Sequence, residues 1–312
     1  MHIAFAIDPR YLPWCAVAIR SCLDHGTPGL TVHLLHDGSL EGNSGVDDLA
    51  GMVEDAGASL AVHAVDPAAV APLPLVGRFG SVVWLRLLLP ELLPDVRRVL
   101  YLDADTLVVS PLAPLFASDL EGAPLAAVPG VTTGRERAHM SALGVDHHER
   151  HLNSGVLLLD LDRFRAEHLT DTLLRVATTR SGDLMYPDQD TLNLVFAGRW
   201  FGLHPRWNAQ NMFWNEPEVA IAELGADAVD EARRSPAILH FEGPTFCKPW
   251  HAINWHPWRR VWWDTLKRTP WSGTPPEDHG TATTLLRVLP PLARIRGYFL
   301  LRRLRDRHVV TE

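Results

Sequence analysis

The 312-residue sequence contains only three cysteines and two lysines, and it has no long apolar segment. Cys15, Cys22 and Cys247 are odd in number and include no CxxC pair, so the sequence supports neither a disulfide framework nor a zinc knuckle. No run of 18 apolar residues occurs, and the first residues lack the charged and apolar regions of a signal peptide. We therefore expect a soluble, cytoplasmic protein in a reducing compartment.

Acidic residues outnumber basic ones in the chain as a whole, but not at its end. The 37 acidic and 29 basic residues give a formal net charge of −8. A surface with net negative charge repels the phosphates of a nucleic acid, so no nucleic-acid partner is expected. Residues 281–312 instead combine seven arginines with leucines and aromatic residues. This composition predicts a helical tail that contacts anionic membrane lipid, or alternatively a helix packed against the acidic body.

The nucleotide-binding fingerprints GxGxxG and GxxxxGK[ST] are both absent. Over the first 70 residues, however, apolar runs alternate with helical patterns in the βαβαβ order of a Rossmann-like half. The runs lack polar alternation, which favours parallel strands covered on both faces. We predict strands at 2–7, 31–36, 59–65, 96–102, 125–128, 154–161, 200–204 and 237–241, and helices at 12–25, 46–56, 81–89, 169–178, 190–196 and 257–267.

The predicted α/β fold has a sheet that is parallel at first and becomes mixed beyond residue 120. No linker interrupts residues 1–268, so we predict one catalytic domain there. A stretch rich in proline, glycine and threonine follows at 270–280. Residues 269–312 are therefore predicted to form a linker and a basic C-terminal helical tail.

Two carboxylates follow the strand predicted at 96–102. Asp103 and Asp105 flank Ala104 at the carboxyl edge of the predicted sheet, where α/β proteins bind their ligands. Because neighbouring carboxylates repel each other, a divalent cation is their natural partner. Such a DxD pair can hold a metal that bridges the diphosphate of a sugar nucleotide. Alternatively, Asp103 would be the nucleophile of a haloacid-dehalogenase-like phosphatase, although no lysine lies between 105 and 247 to supply the cation of that class.

Three further polar clusters adjoin predicted elements. The Asn-Ser-Gly triplet at 153–155 precedes a strand and offers an amide and a close backbone approach to a sugar. The run at 187–193 places two carboxylates and an amide at a helix start, where Asp188 is expected to cap the helix. After the strand predicted at 237–241, the segment to residue 250 offers an imidazole to a metal, a glycine for backbone approach and a lysine to a phosphate.

In this order, the motifs resemble glycosyltransferase family 8, the retaining enzymes that include glycogenin and lipopolysaccharide hexosyltransferases. The resemblance covers residues 2 to about 260 and rests on the opening strand, Arg86 and the YLDAD, NSG, DQD and HFEG…KPW motifs. It implies a GT-A fold that binds UDP-glucose or UDP-galactose with Mn²⁺ or Mg²⁺. The hexose would pass, with retention of configuration, to a hydroxyl of a glycan or small-molecule acceptor. An inactive sugar-nucleotide binder of the same fold is a further alternative.

The resemblance also implies roles for individual residues. The metal ligands would be Asp103, Asp105 and His240. The uracil of the donor would be held by Ala6, Asp8 and Tyr11, and its diphosphate would contact Gly243 and Lys248. The donor sugar would be surrounded by Arg86, Asn153, Gly155, Asp188 and Gln189. Two further donor-binding residues would be Ala104 and Ser154. Gln189 would lie on the face of the anomeric carbon opposite the leaving group. Because its amide is a poor nucleophile, we expect a front-face attack in which Gln189 stabilises an oxocarbenium-like centre, with Asp188 or Asp190 as the nucleophile of an alternative covalent route. The tail at 281–312 would contact the inner face of the membrane.

Overall fold

The computed structural model describes residues 1–26, 29–76, 80–145 and 150–309, with side chains as far as residue 303. The strands of this part of the chain are β1 (His2–Ala6), β2 (Thr31–His36), β3 (Ser59–Ala64), β4 (Arg98–Leu102), β5 (Thr106–Val108), β6 (Leu125–Pro129), β7 (Leu152–Asp160), β8 (Phe201–Gly202), β9 (Ala209–Gln210) and β10 (Ile238–His240). The α-helices are α1 (Leu12–His25), α2 (Ser44–Asp55), α3 (Leu89–Leu92), α4 (Ala113–Phe116), α5 (Gly134–Leu143), α6 (Leu161–Ala166), α7 (Leu169–Thr179), α8 (Pro187–Phe196), α9 (Met212–Asn215), α10 (Pro217–Leu224), α11 (Ala226–Arg234), α12 (Arg259–Leu266), α13 (Thr281–Leu286) and α14 (Pro291–Val309). Short 3₁₀-helices occur at Pro9–Tyr11, Pro67–Ala69, Ser81–Leu88, Pro205–Asn208 and Thr245–Cys247.

Seven of these strands form a sheet in the order β3-β2-β1-β4-β7-β6-β8. The strands β1 to β4 are parallel, whereas β7 runs antiparallel to both β4 and β6. The predicted βαβαβ start and the mixed sheet beyond residue 120 are therefore confirmed. Neighbouring β1 residues pack on opposite faces, because Phe5 joins the core that contains Ile19 of α1, and Ala4 joins the core around Trp84. Because both faces of the sheet are packed against apolar residues, the strands are continuous apolar runs in the sequence.

A second sheet of three strands brings a distant part of the chain to the end of β4. The strand β10 pairs antiparallel with β5, so that His240 lies opposite Thr106, and it pairs parallel with β9. An aromatic core supports this sheet. Trp14 of α1 stacks on Trp250 with ring centroids 5.0 Å apart, and Trp262 contacts both rings. Because α1 also covers the large sheet, this core joins the two sheets.

Several predicted boundaries differ from the structure by a few residues, and three differences concern segments that carry predicted site residues. The helix predicted at 81–89 is a 3₁₀-helix over Ser81–Leu88, and an α-helix begins only at Leu89, with Pro90 in its first turn. The strand that carries the Asn-Ser-Gly triplet begins at Leu152, so the triplet lies inside β7 rather than ahead of it. The N-cap of α8 is Tyr186, so the expectation that Asp188 caps this helix is wrong.

The C-terminal tail packs against the body of the protein. The helices α13 and α14 approach closely at Gly297, where a Cβ atom would lie 2.6 Å from Leu286 Cδ2. Tyr298 is buried against the ring of His251, and Arg294 donates to the carbonyl oxygen of Ile253 at 3.2 Å. None of the described helices combines the length and the apolar composition that crossing a bilayer requires. The division of the chain at residue 268 stays a prediction.

Candidate active site

The three predicted metal ligands converge where β4 ends. Asp103 follows β4 directly, Asp105 lies in the turn to β5, and the pairing of β5 with β10 brings His240 beside them. One ligand atom from each residue lies within 4.8 Å of the other two. His240 Nε2 is 3.6 Å from Asp103 Oδ2 and 3.3 Å from Asp105 Oδ1. Two carboxylates and an imidazole form a donor set that suits Mn²⁺ or a similar divalent cation.

The buried atoms of this cluster fit a bound cation. Asp105 Oδ1 is buried, and among the described residues no hydrogen bond of ordinary geometry reaches it, although His240 Nε2 lies 3.3 Å away. Burial raises the pKa of the Asp105 carboxyl, but the charges of Lys248 and His240 outweigh burial and lower this pKa overall. Burial lowers the pKa of His240, and Asp105 reverses that effect and raises it overall. The cluster therefore attracts positive charge, and a cation would satisfy the orphaned oxygen.

Lys248 and Gly243 lie on the segment that follows β10. The ammonium of Lys248 donates to Asp105 Oδ2 and, at 2.8 Å, to the carbonyl oxygen of Phe241. Gly243 has a φ of +96°, in the left-handed region that favours glycine. The lysine thus adds a positive charge directly beside the acidic cluster.

Arg86 links the acidic cluster to α8. Its guanidinium donates to Asp103 Oδ1 and to the carbonyl oxygen of Ser154, each at 3.0 Å. It also lies 2.9 Å from Asp188 Oδ2 and covers the ring of Tyr101 at 4.3 Å. Burial lowers the pKa of Arg86, but Asp103 and Asp188 raise it overall, so the guanidinium stays charged. Burial also raises the pKa of Asp188, and Arg86 opposes this effect.

Ser154 and Gln189 belong to the same network. Ser154 Oγ donates to Asp188 Oδ2 at 3.0 Å, and the Ser154 N–H donates to Gln189 Oε1 at 3.1 Å. Two predicted donor residues on α8 are therefore held against β7, on the same side as Arg86.

Gly155 leaves room for a side chain of the protein itself. Its position suggested a close backbone approach to a sugar, but in the structure the His240 imidazole occupies the space above its Cα. A Cβ atom at Gly155 would lie 2.1 Å from His240 Cε1 and 2.6 Å from His240 Nδ1. The carbonyl oxygen of Gly155 also accepts from the N–H of Asp103 at 2.9 Å. Gly155 thus helps to position two of the predicted metal ligands, and its contact with a sugar stays a prediction.

The residues predicted at the uracil lie at the same edge of the sheet. Because β1 and β4 are neighbouring parallel strands, Ala6 at the end of β1 is level with Asp103. Asp8 caps the 3₁₀-helix that follows β1 by accepting from the N–H of Arg10 at 2.8 Å. Tyr11, at the end of that helix, has 37% of its surface exposed. Their contacts with a nucleotide stay predictions.

Asp190 is not brought to the cluster. Its Oδ2 accepts from the N–H groups of Met185 and Tyr186 at 2.7 and 2.9 Å, and it lies 2.7 Å from His139 Nε2 on α5. Side chains two positions apart on a helix point in well-separated directions, since each residue turns the helix by about 100°. Asp190, rather than Asp188, is therefore the carboxylate that receives backbone N–H groups at the start of α8.

Two residues of the site had no predicted role. Tyr101 Oη donates to Asp103 Oδ1 at 3.0 Å. Its signal was present in the sequence, because residues two apart on a strand share a face. Asn208 Oδ1 lies 3.0 Å from His240 Nδ1. Asn208 is 32 positions before His240 and belongs to no motif, so the sequence offered no signal for it.

The fold and this edge of the sheet define an α/β protein whose acidic strand end can hold a cation beside a network of polar side chains. Comparison with known proteins then identifies the family. The sequence model of glycosyl transferase family 8 matches residues 2–254, and the chain belongs to this family. The predicted family, its class of enzyme and the GT-A fold are thereby confirmed. The comparisons give no support to the phosphatase alternative.

Similar proteins include two bacterial relatives and a solved structure. The chain is 25% identical to a lipopolysaccharide 1,2-glucosyltransferase of Escherichia coli (strain K12) over 280 residues, which cover 89% of this chain and 81% of that protein. It is 30% identical to general stress protein A of Bacillus subtilis (strain 168) over 191 residues, which cover 60% of this chain and 65% of that protein. The match thus spans slightly less than two thirds of the length of this relative. The crystal structure of galactosyltransferase LgtC in complex with donor and acceptor sugar analogues matches with a TM-score of 0.75 and 26% identity, covering 89% of this chain and 98% of that chain.

Proposed function

We propose that this protein is a metal-dependent retaining hexosyltransferase that transfers glucose or galactose from a UDP-sugar to a hydroxyl of a glycan or small-molecule acceptor. The observation that carries the proposal is the convergence of Asp103, Asp105 and His240 at the carboxyl edge of a GT-A sheet. The relatives support the substrates, because one is a lipopolysaccharide glucosyltransferase and another was solved with donor and acceptor sugar analogues.

The acidic cluster would hold Mn²⁺ or Mg²⁺ at the diphosphate of the donor. A bound divalent cation supplies neutralisation of the charge that develops on a departing diphosphate. Lys248 contributes a second positive charge at the same place, since its ammonium already contacts Asp105. The backbone of Gly243 would approach the diphosphate, and Ala6, Asp8 and Tyr11 would hold the uracil at the end of β1.

The network around Arg86 would hold the donor sugar. Asp188 is paired with Arg86 and accepts from Ser154 Oγ, so its negative charge is already engaged. Such a carboxylate is a weak nucleophile, and the amide of Gln189 is a weaker one. This favours the front-face route, in which the acceptor hydroxyl attacks the anomeric carbon from the leaving-group side and passes its proton to the departing phosphate oxygen. Asp188 stays the alternative for a covalent route, whereas Asp190 faces α5.

The function can be tested by incubating the protein with UDP-glucose, UDP-galactose or p-nitrophenyl phosphate, with and without Mn²⁺. Mn²⁺-dependent release of UDP from one donor is expected. Orthophosphate release from the ester would instead indicate a phosphatase, and donor binding without turnover would indicate an inactive binder. Asp103→Asn and Asp105→Asn should each reduce UDP release by about 10²-fold or more. The exposed Asp95→Asn is the matched control and should retain wild-type turnover.

We also propose that the tail lies on an anionic membrane surface, which would place the enzyme at the inner face of the membrane. The residues Leu285, Val288, Leu292 and Leu300 are between 60% and 84% exposed. Exposed arginines at 287, 296 and 303 alternate with them along the chain. Apolar side chains mixed with arginines favour binding to anionic lipid.

Vesicle sedimentation tests this contact. The protein should bind vesicles that contain phosphatidylglycerol more strongly than vesicles of phosphatidylcholine alone. The double variant Val288→Glu, Leu292→Glu should lose most of this binding. Leu75→Glu is the control, because Leu75 is equally exposed, at 73%, but lies outside the tail. Equal binding by the double variant and the wild type would contradict a membrane role for the tail.

A further inference from the structure

The two ring nitrogens of His240 face different surroundings. Nε2 points to Asp103 and Asp105, at 3.6 and 3.3 Å from their nearest oxygens. Nδ1 lies 3.0 Å from Asn208 Oδ1. The imidazole is 4% exposed and Asn208 is fully buried, so neither side chain can exchange its partner for water. Which nitrogen of His240 carries a proton must therefore be decided by the protein.

The backbone N–H of Gly155 determines which nitrogen of His240 carries the proton. The N–H of Gly155 donates to one side-chain atom of Asn153 at 3.0 Å, and a backbone N–H can only donate, so this atom must be the oxygen Oδ1. The same Oδ1 is 2.9 Å from Asn208, which must therefore direct its Nδ2 toward Asn153. The remaining atom of the Asn208 amide, Oδ1, faces His240 and can only accept.

We infer that Asn153 and Asn208 form a relay that keeps a proton on His240 Nδ1 and so leaves Nε2 to bind the metal. The relay begins at the Gly155 N–H and passes through two side-chain amides. It holds whether the imidazole is neutral or protonated, since Nδ1 donates in both states. The inference rests on the proposed metal site and adds Asn208 to it as a positioning residue.

The relay also limits what Asn153 can offer to a ligand. Both lone pairs of its oxygen are used, one by the Gly155 N–H and one by Asn208 Nδ2. Asn153 therefore has only its Nδ2 to present to a donor sugar, as a hydrogen-bond donor.

Residues behind a metal ligand typically change metal affinity by about 10- to 100-fold when they are lost. Asn208→Leu keeps the volume of the side chain but removes the acceptor, so the Kd for Mn²⁺ should rise by about 10- to 100-fold. Asn208→Asp keeps an acceptor for Nδ1–H but, as a carboxylate, loses the donor to Asn153 Oδ1, so the Kd should rise less than in Asn208→Leu. A side chain that merely fills space would give the opposite order, with leucine tolerated and a buried aspartate not.

The experiment measures Mn²⁺ binding by electron paramagnetic resonance of the free ion, in full-length protein without nucleotide. Asn193→Leu is the matched control, because Asn193 is a buried amide that bonds to the backbone of Leu152 and does not contact His240. It should lower stability and leave the Kd for Mn²⁺ unchanged. Wild-type affinity in Asn208→Leu would overturn the relay.

A second measurement uses the wild-type protein and does not depend on a variant that folds. Long-range ¹H–¹⁵N spectra of histidine-labelled protein, with His240 assigned by comparison with His240→Gln, should show a proton on Nδ1, both without metal and with Mg²⁺. An unprotonated Nδ1 would overturn the relay. Failure of the wild type to bind Mn²⁺ would contradict the metal-dependent function instead, and the spectra would still decide the relay.

Discussion

Gly155→Ala tests whether the packing of His240 on β7 controls the metal site. The new Cβ would lie 2.1, 2.6 and 2.7 Å from the Cε1, Nδ1 and Nε2 atoms of His240. Non-bonded carbon atoms are stable at about 3.5–4.0 Å, so the imidazole must move by more than about 1 Å. Small adjustments are blocked, because the ring is buried and its Nδ1 is bonded to Asn208.

Two magnitudes follow from this displacement. Overpacking a buried position costs about 1–3 kcal/mol of unfolding free energy. Metal–ligand distances tolerate only about 0.2 Å, so a shift of about 1 Å removes His240 from the ligand set. We expect the Kd for Mn²⁺ to rise at least about 100-fold, which exceeds the effect of losing a residue behind the ligand.

Isothermal titration with Mn²⁺ and urea unfolding measure the two effects on the same samples. Gly130→Ala is the control, because a Cβ there would meet its nearest atom at 3.7 Å, an ordinary contact. This variant should bind Mn²⁺ like the wild type. If Gly155→Ala also bound Mn²⁺ with wild-type affinity, His240 would not be a metal ligand.

Three further variants test other parts of the structure. Arg86→Lys keeps the charge but loses the planar fork that contacts two carboxylates and a carbonyl, so kcat for UDP-hexose turnover should fall about 100-fold; a fall below threefold would contradict a positioning role. Asp190→Asn should lower the unfolding free energy by about 1–2 kcal/mol and change kcat by less than about fivefold, whereas a loss of more than about 1000-fold would support Asp190 as a nucleophile. Burial, together with repulsion by His63 and His2, lowers the pKa of His33 to about 4 from the ordinary 6.5. The unfolded chain then binds the proton more readily, so stability should be complete above pH 6.5 and fall toward pH 4, by about 1–2 kcal/mol at pH 5 in urea titrations. His33→Gln should flatten this dependence, and an unchanged pH profile would contradict the assignment.

Much of the first half of the fold could be predicted from the sequence. The strand at 31–36 and the helix at 12–25 have the predicted bounds, because the spacing of apolar residues is a property of consecutive residues. The two carboxylates at the end of β4 were visible for the same reason. The 3₁₀-helix at Ser81–Leu88 was not predicted, since its apolar pattern also fits an α-helix.

At the start of α8, local rules could not choose between two aspartates. Asp188 and Asp190 are both in the first turn, where either carboxylate suits a helix N-terminus. The buried guanidinium of Arg86 forms an ion pair with Asp188. The backbone N–H groups of Met185 and Tyr186 donate to Asp190. The choice depends on which partner lies across the fold, and that partner is far away in the sequence.

The βαβαβ start, the acidic end of β4 and the family could all be predicted from the order of residues along the chain, because each depends on neighbouring residues or on an ordered set of motifs. In contrast, the contact of the His240 imidazole with Gly155 and its hydrogen bond to Asn208 arise only when the chain folds. These contacts join β7, β10 and a 3₁₀-turn, which no local periodicity relates. Hydrogen bonds and steric exclusion between distant segments are set by how the two sheets pack, and packing exists only in the folded chain.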